Sequence, residues 1–295
     1  MADVPAEVAP GVPGLPGPPG PPGGEAPVFV AFDVETTGLI AGVDRVVELA
    51  AVAFRGNDVL ETSSALVNPG VPIPDEVSRV TGITDQVLEG APPPARPLAD
   101  FLRVLSLGTP VAHNAPFDVG FVLREAQEAG LELPAGPVLD TRGLARKAFP
   151  GRFSYGLGTL VRDLRIPTGG EHRALADAHT CRSLFLECTR KLVADGRLGE
   201  GLPAGELARL SGYPLDFHRH APRQPGLARM LHQAAVRGSG MHITYRASDG
   251  EVTERLIMPL SLACVGGAPA VRAFCTLRGD DRTFFLGSIV EAHEP

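Results

Sequence analysis

The sequence predicts an α/β domain followed by a small all-β unit, and three observations carry that reading. An apolar run, VFVAFDVE at 28–35, opens onto a polar tip as a buried strand does. Two more strand-like runs follow it closely as an antiparallel meander, and alternating strands and helices come after them. Near the C-terminus a helical stretch precedes runs of strand character at close spacing, the pattern of a small β-barrel or sandwich.

VVELAAVAFRG (46–56) reads as the second strand and VLETSSALVNP (59–69) as the third, with Asn57 and Asp58 in the hairpin turn between them. PLADFLRVLSLG (97–108) has helical spacing and ends in glycine. PVAHN is a short strand running into a loop, and PFDVGFVLREAQEAG begins a helix with proline in its first turn. After VLDTRGLARKAF come two further helical stretches, Gly156–Leu164 and Ala174–Val193. The α/β domain is expected to cover 27–193. Residues 194–225, rich in Gly, Pro and Arg, read as a linker with one short helix at Gly205–Leu210. The C-terminal unit, 226–295, comprises a helix at 227–238 and the strands MHITYRA, VTERLIMPLSLACV, AVRAFCTL and RTFFLGSIVEAH. Residues 1–26 are mostly Pro, Gly, Ala and Val, with glycine at every third position from Gly11 to Gly23. A collagen helix needs many more such triplets and three chains, so this segment reads as a flexible tail of polyproline character.

The formal net charge of −7 argues against a protein that grips nucleic acid through a basic surface. That objection weakens where acidic residues gather at a metal site, because bound cations cancel charge where a phosphate approaches. The four cysteines form no CxxC pair, which points to reduced thiols and a cytoplasmic protein. No apolar run approaches the roughly 18 residues that span a bilayer, and no basic-then-apolar leader is visible, so no membrane partner is expected.

Asp33 and Glu35 stand two apart on the first strand, so both side chains leave one face near its C-terminal end, where α/β sheets commonly place ligands. Alone, such a pair is often a solvated strand tip. It is followed by VAHNAPFDVGFV about 80 residues on, and by HRALADAHTC about 60 residues after that. With FDVETTGL, these blocks resemble the three motifs of the DEDDh family of 3'-5' exonucleases, to which proofreading subunits of bacterial replicative polymerases belong. The resemblance spans about 28–190 and includes TGIT, LDTRGLARKAF and SYGLGTLVRDLRI. It implies a ribonuclease H-like mixed sheet flanked by helices. It implies that Asp33 and Glu35 fill the first motif, Asp118 the second, and His172 with Asp177 the third, at H-x4-D spacing. It also implies that Thr36, Thr37, Gly38 and Leu39 meet the terminal nucleotide through backbone amides and an apolar side chain. His113 and Asn114 shape the second motif's loop on the substrate side, and Phe117 lies near the site.

The residue types suit the chemistry. Four carboxylates gathered within ~5 Å would cost roughly 3 kcal/mol per like-charge pair at an effective dielectric near 20. Such a cluster needs cations, and hard oxygen ligands favour magnesium or manganese. Two such ions about 3.5–4 Å apart serve phosphodiester hydrolysis, one acidifying a water and the other stabilising the departing 3' oxygen. Five helical residues turn through about 500°, leaving His172 about 140° from Asp177. His172 is therefore expected on the loop before the helix, just after Thr168-Gly169-Gly170, as a general base that closes on the water. His179 has the wrong spacing and reads as a helix-surface residue.

The C-terminal text, with its Thr-Glu-Arg strand, Pro-Leu-x-Leu turn and Cys-x-Leu-Arg ending, resembles a WYL domain, which implies a small SH3-like β-barrel. The triplet that names the domain is replaced by Pro269-Ala270-Val271, which removes aromatic stacking surface. Arg246, Arg255, Arg278 and Arg282 are candidates for phosphate contacts, although the seven arginines from 227 onward are balanced by seven acidic residues. The unit is expected to be dispensable for the chemistry.

The resulting expectation is hydrolysis at single-stranded 3' ends, DNA rather than RNA, in proofreading or repair, with a polymerase or repair protein as partner. A 3'-5' exoribonuclease trimming RNA ends or oligonucleotides, a nucleotide phosphate-ester hydrolase and a non-catalytic nucleic-acid-sensing regulator remain alternatives. The complete set of five residues disfavours the regulator.

Overall fold

The structure, a computed structural model, describes residues 26–168, 172–212, 217, 226–247, 249–265 and 268–295. The glycine-patterned tail, Gly169 and Gly170, and most of 213–225 lie outside the described residues.

Strands β1 (Val28–Thr36), β2 (Val46–Arg55) and β3 (Asp58–Leu66) form the antiparallel meander. Strands β4 (Thr109–Ala112) and β5 (Leu139–Asp140) join it in parallel, giving the order β3-β2-β1-β4-β5. This is a mixed α/β sheet with helices on both faces. Alternation along β1 sorts the layers. Val30, Phe32 and Val34 point into a core shared with α2 (Ala95–Leu105) and α3 (Pro116–Ala129). Phe29 and Ala31 point the other way, toward α4 (Thr141–Ala148), α5 (Leu157–Leu164) and α6 (Ala174–Ala194). By the same period, Asp33 and Glu35 fall on the α6 face.

Helix α1 (Asp75–Thr81) falls in a stretch where no helix was expected. It is short, ends on a left-handed Gly82, and adds only Val77 to a small satellite core of Val47, Ile73, Ile83 and Leu88. Helix α2 stops before the glycine expected to end it, and Gly108 has another task. A Cβ there would lie 2.4 Å from the Val28 carbonyl oxygen, so the absence of a side chain lets the chain pass β1 as β4 begins.

The described residues of 194–225, which are 194–212 and Phe217, pack against the α/β unit. Helix α7 (Ala204–Leu210) places Leu207 and Ala208 in the second core beside Leu198 and Leu202. A Cβ on Gly143 of α4 would overlap the Ser211 carbonyl oxygen at 1.7 Å, so α4 and the end of α7 meet backbone to backbone. Phe217 is 1% exposed in the first core, its ring 6.3 Å from that of Phe32.

Helix α8 (Leu227–Arg237) precedes β6 (Met241–Arg246), β7 (Val252–Val265), β8 (Ala268–Cys275), β9 (Asp280–Phe285), a 3-10 turn and β10 (Ile289–His293). These strands form one antiparallel sheet in the order β10-β6-β7-β8-β9. Among the described residues no pairing joins β9 to β10, so the expected SH3-like barrel is not closed. Strand β9 buries only Phe284 of its six residues and so has little apolar surface to draw it round. The unit's core includes Leu227, Leu231, Ile243, Ile257, Val271 and Phe284, and it also takes in Ile40 from the loop after β1. Ala270 and Val271, in place of the naming triplet, are fully buried.

Cys181, Cys188 and Cys275 are free and buried, and the side chain of Cys264 lies outside the described residues. No helix among the described residues is long and apolar enough to cross a membrane.

Candidate active site

The site forms where β1 leaves the sheet. Glu35 faces Glu48 across the β1–β2 pair, and the register shifts at the next residue, so a bulge separates Glu35 from Thr36, which pairs with Val46. Asp33, Glu35 and Asp177 each present a carboxylate oxygen, and the three atoms lie within 4.8 Å of one another. Asp177 comes from the first turn of α6, where the helix dipole favours a negative charge. Asp118, 2% exposed in the first turn of α3, does not join that group of three. Its Oδ1 instead accepts the Val34 N–H at 3.2 Å, which tethers α3 to β1 between the two acidic residues.

The electrostatics record the crowding. Burial raises the Asp33 carboxyl well above the ordinary range, and Asp118, Glu35, Asp177 and Glu48 push it further. Burial likewise raises Asp118, against the hydrogen bonds it accepts from backbone amides. Glu35 is pushed up to about 7, first by burial and then by Asp177 and Glu48, with Arg173 pulling the other way. These acids cannot all ionise together without compensating positive charge. Three carboxylate oxygens converging, with a fourth carboxyl alongside, make a hard donor set of the kind that suits a divalent cation.

His172 lies outside α6, on the loop before it, with φ at +60°. Its backbone N–H donates to Asp177 Oδ2 at 3.0 Å, so the histidine is tied to the acid it accompanies. Arg173 follows at the helix cap. Its guanidinium forks onto Glu48, and the Ala174 N–H donates to Glu48 Oε2 at 3.0 Å.

Thr36 and Thr37 are buried. Thr37 Oγ1 accepts the Arg45 N–H at 3.0 Å, and its own N–H donates to the Arg45 carbonyl at 2.8 Å. A Cβ on Gly38 would come within 2.5 Å of the Asp44 carboxylate, which accepts the Ile40 N–H at 2.8 Å. The turn is thus closed on itself, with Leu39 projecting at 62% exposure.

The other residues that the family resemblance sets near the site are engaged within the protein. Both ring nitrogens of His113 have partners, Thr141 Oγ1 at 2.9 Å and the Tyr155 carbonyl at 3.0 Å. Burial lowers its pKa to about 4, so the ring is neutral near pH 7. Asn114 holds φ at +65°, donates its N–H to Asp140 Oδ1 at 2.9 Å, and accepts from Arg142 Nη1 at 3.0 Å. Phe117 packs on the first core with its ring 5.0 Å from that of Phe121. His179 sits half-buried in α6. In the C-terminal unit, Arg246 and Arg278 are exposed, Arg282 pairs with Asp280 at 2.9 Å, and Arg255 bonds Thr253 at 3.0 Å while lying over Phe284.

Sequence reasoning missed Glu48, Arg173, Asp140 and Arg142. A signal existed for two of them. Glu48 is the one charge inside the apolar run VVELAAV, and a charge in such a run requires a partner. Asp140 precedes a helical stretch, as a capping residue does, and its side chain accepts the Arg142 N–H.

A protein-family model described as Exonuclease matches residues 30–185, and one described as WYL domain matches 226–294. The chain is 38% identical over 168 residues to the DNA polymerase III PolC-type protein of Bacillus cereus, covering 57% of this chain and 12% of that protein. It is 38% identical over 165 residues to the 3'-5' exonuclease DinG of Bacillus subtilis, covering 56% of this chain and 18% of DinG. It is 37% identical over 163 residues to the DNA polymerase III subunit epsilon of Treponema pallidum, covering 55% of this chain and 76% of that subunit. The chain therefore spans most of the epsilon subunit but only a small part of the PolC-type and DinG proteins.

Proposed function

The chain belongs to the exonuclease family whose model matches residues 30–185, and on that premise we propose that it removes nucleoside monophosphates one at a time from single-stranded 3' ends of DNA. The convergence of Asp33, Glu35 and Asp177 within 4.8 Å, with the His172 amide on Asp177, carries the proposal. The names of the similar proteins, two from DNA polymerase III and one a 3'-5' exonuclease, support DNA, and a role in proofreading or repair beside a polymerase or repair protein.

Asp33, Glu35, Asp118 and Asp177 would hold two divalent cations, magnesium or manganese. When bound, these supply the positive charge that polarises the scissile phosphate and eases deprotonation of a water. The His172 imidazole takes that water's proton as general base. Asp177 orients His172 through its backbone N–H. Leu39 lies against the terminal base, and the Thr36–Gly38 backbone holds its sugar and phosphate. His113, Asn114 and Phe117 serve this side indirectly, by fixing the loop that carries Asp118. In the C-terminal unit, Arg246, Arg278 and Arg282 are the exposed candidates for phosphate contact, Arg282 through a guanidinium already paired with Asp280.

The same reading divides the chain into a tail (1–26), an exonuclease domain (27–193), a connecting segment (194–225) and a WYL-like unit (226–295). The 14-residue β7, bulged between Pro259 and Ser261, supports an SH3-like curvature of the last of these. Three buried free thiols support a cytoplasmic location.

The test uses matched single-stranded DNA and RNA, each labelled at the 5' end. A ladder shortening from the 3' end of the DNA, absent with Asp33→Ala, is expected. Faster loss of RNA would make the protein an exoribonuclease, and internal cuts or an active Asp33→Ala would end the proposal.

A further inference from the structure

The turn between β1 and β2 has two neighbouring apolar residues with opposite fates. Leu39 is 62% exposed and Ile40 is 6% exposed. The cover over Ile40 comes from the other unit. Ile40 is part of the core built by Leu227, Ala228 and Leu231 of α8 with the C-terminal sheet, and Val43 packs against the same core. A Cβ on Gly42 would lie 3.7 Å from that of Ala228, so α8 passes beside the turn with room for little more than a methyl group between them. A polar link runs beside it. Arg229 of α8 reaches Glu128 at 3.6 Å, Glu128 pairs with Arg45 at 3.2 Å, and the Arg45 N–H bonds Thr37. Arg45 is itself held by a fork onto Glu125, with both bonds at 2.8 Å.

We infer that the C-terminal unit braces the substrate turn, with Ile40 and Arg229 as positioning residues that fix where Leu39 and the Thr36–Gly38 backbone meet the 3'-terminal nucleotide. This rests on the reading of Thr36–Leu39 as the substrate turn. It reverses the expectation that the unit is dispensable, because removing it uncovers Ile40 and releases one end of the Arg229–Glu128–Arg45 chain. A brace acts on binding and leaves the acids and His172 in place, so its loss raises KM and spares kcat.

The experiment measures KM and kcat of the full chain on a single-stranded DNA oligonucleotide with manganese. Ile40→Ser should raise KM about five- to tenfold with kcat within about twofold, Ile40→Val should restore most of the affinity, and Arg229→Ala should raise KM about twofold. A folded Ile40→Ser with unchanged KM, or with kcat lost and KM retained, overturns the inference. If Ile40→Ser does not fold, hydrogen exchange on Ile40→Ala and Arg229→Ala decides. Faster exchange of amides in 36–45, with the C-terminal sheet unchanged, supports the brace, and unchanged exchange overturns it. Leu39→Ala separates the two readings. If it leaves KM unaltered, the turn is not the substrate element. If it raises KM while the Ile40 variants do not, the inference alone fails.

Discussion

Glu48 and Arg173 form a fork between β2 and the start of α6, with Arg173 Nη2 at 2.8 Å from Oε1 and Nε at 3.1 Å from Oε2. Glu48 stands opposite Glu35 in the sheet, and Arg173 follows His172 in the chain. One ion pair therefore fixes the distance between the acidic strand and the loop that carries the proposed base. Asp177 adds the second tether through the His172 N–H.

Glu48→Ala should destabilise the α/β unit by about 2–3 kcal/mol, somewhat below the ~3–5 expected for breaking a fully buried pair, because Arg173 is half exposed. It should also lower kcat, since the His172 loop loses its anchor. Urea unfolding and steady-state kinetics measure the two effects. A variant as stable and as active as the parent would remove Glu48 from the account.

His172→Ala should lower kcat by about 10²–10⁴, the contribution typical of a positioned general base, while manganese affinity is kept. Single-turnover digestion gives the first quantity and calorimetry the second. If metal affinity fell with the rate, His172 would belong to the metal site.

Without metal, the acidic cluster should weaken the fold as pH rises. Glu35 has its folded pKa raised from 4.5 to about 7, so its contribution is fully present below about 4.5 and is lost as pH climbs through about 7. The loss is on the order of 3 kcal/mol. Asp33 and Asp118 are shifted in the same direction. Glu35→Gln in the presence of chelator should therefore be more stable than the parent at about pH 8 and nearly equal to it at about pH 4. Urea midpoints at both pH values check this, and an equal midpoint at the higher pH would contradict it.

Phe217→Ala should cost about 3–5 kcal/mol, the range for truncating a buried aromatic. Phe217 lies in a segment read from sequence as linker, yet its ring is buried beside Phe32. Thermal unfolding measures the loss, and a change within about 0.5 kcal/mol, as at a surface position, would mean that the segment does not pack there.

Much of this was legible in the sequence because period and spacing report local geometry. The two-residue period of β1 puts Asp33 and Glu35 on one face, and the angle between His172 and Asp177 places the histidine outside the helix. Other features were illegible because tertiary packing makes them. Phe217 is a single aromatic in a Gly- and Pro-rich stretch without period, and only the closed core gives it a place. Gly108 reads as a helix end, but its role depends on Val28, far away in the chain. Ile40 reads as an ordinary apolar residue after a turn, and its cover comes from a helix beginning at Leu227. The open sheet edge differs from the expected barrel because strand spacing reveals which segments pair locally and leaves closure undetermined.

Calorimetric titration with manganese tests the account at its root, which is that the carboxylates at 33, 35, 118 and 177 act together as a hard-cation site. The parent protein should take up manganese in the absence of nucleic acid, and Asp33→Asn and Asp177→Asn should each abolish most of that binding while remaining folded. Equal uptake by the parent and both variants, or no uptake by the parent, would contradict it.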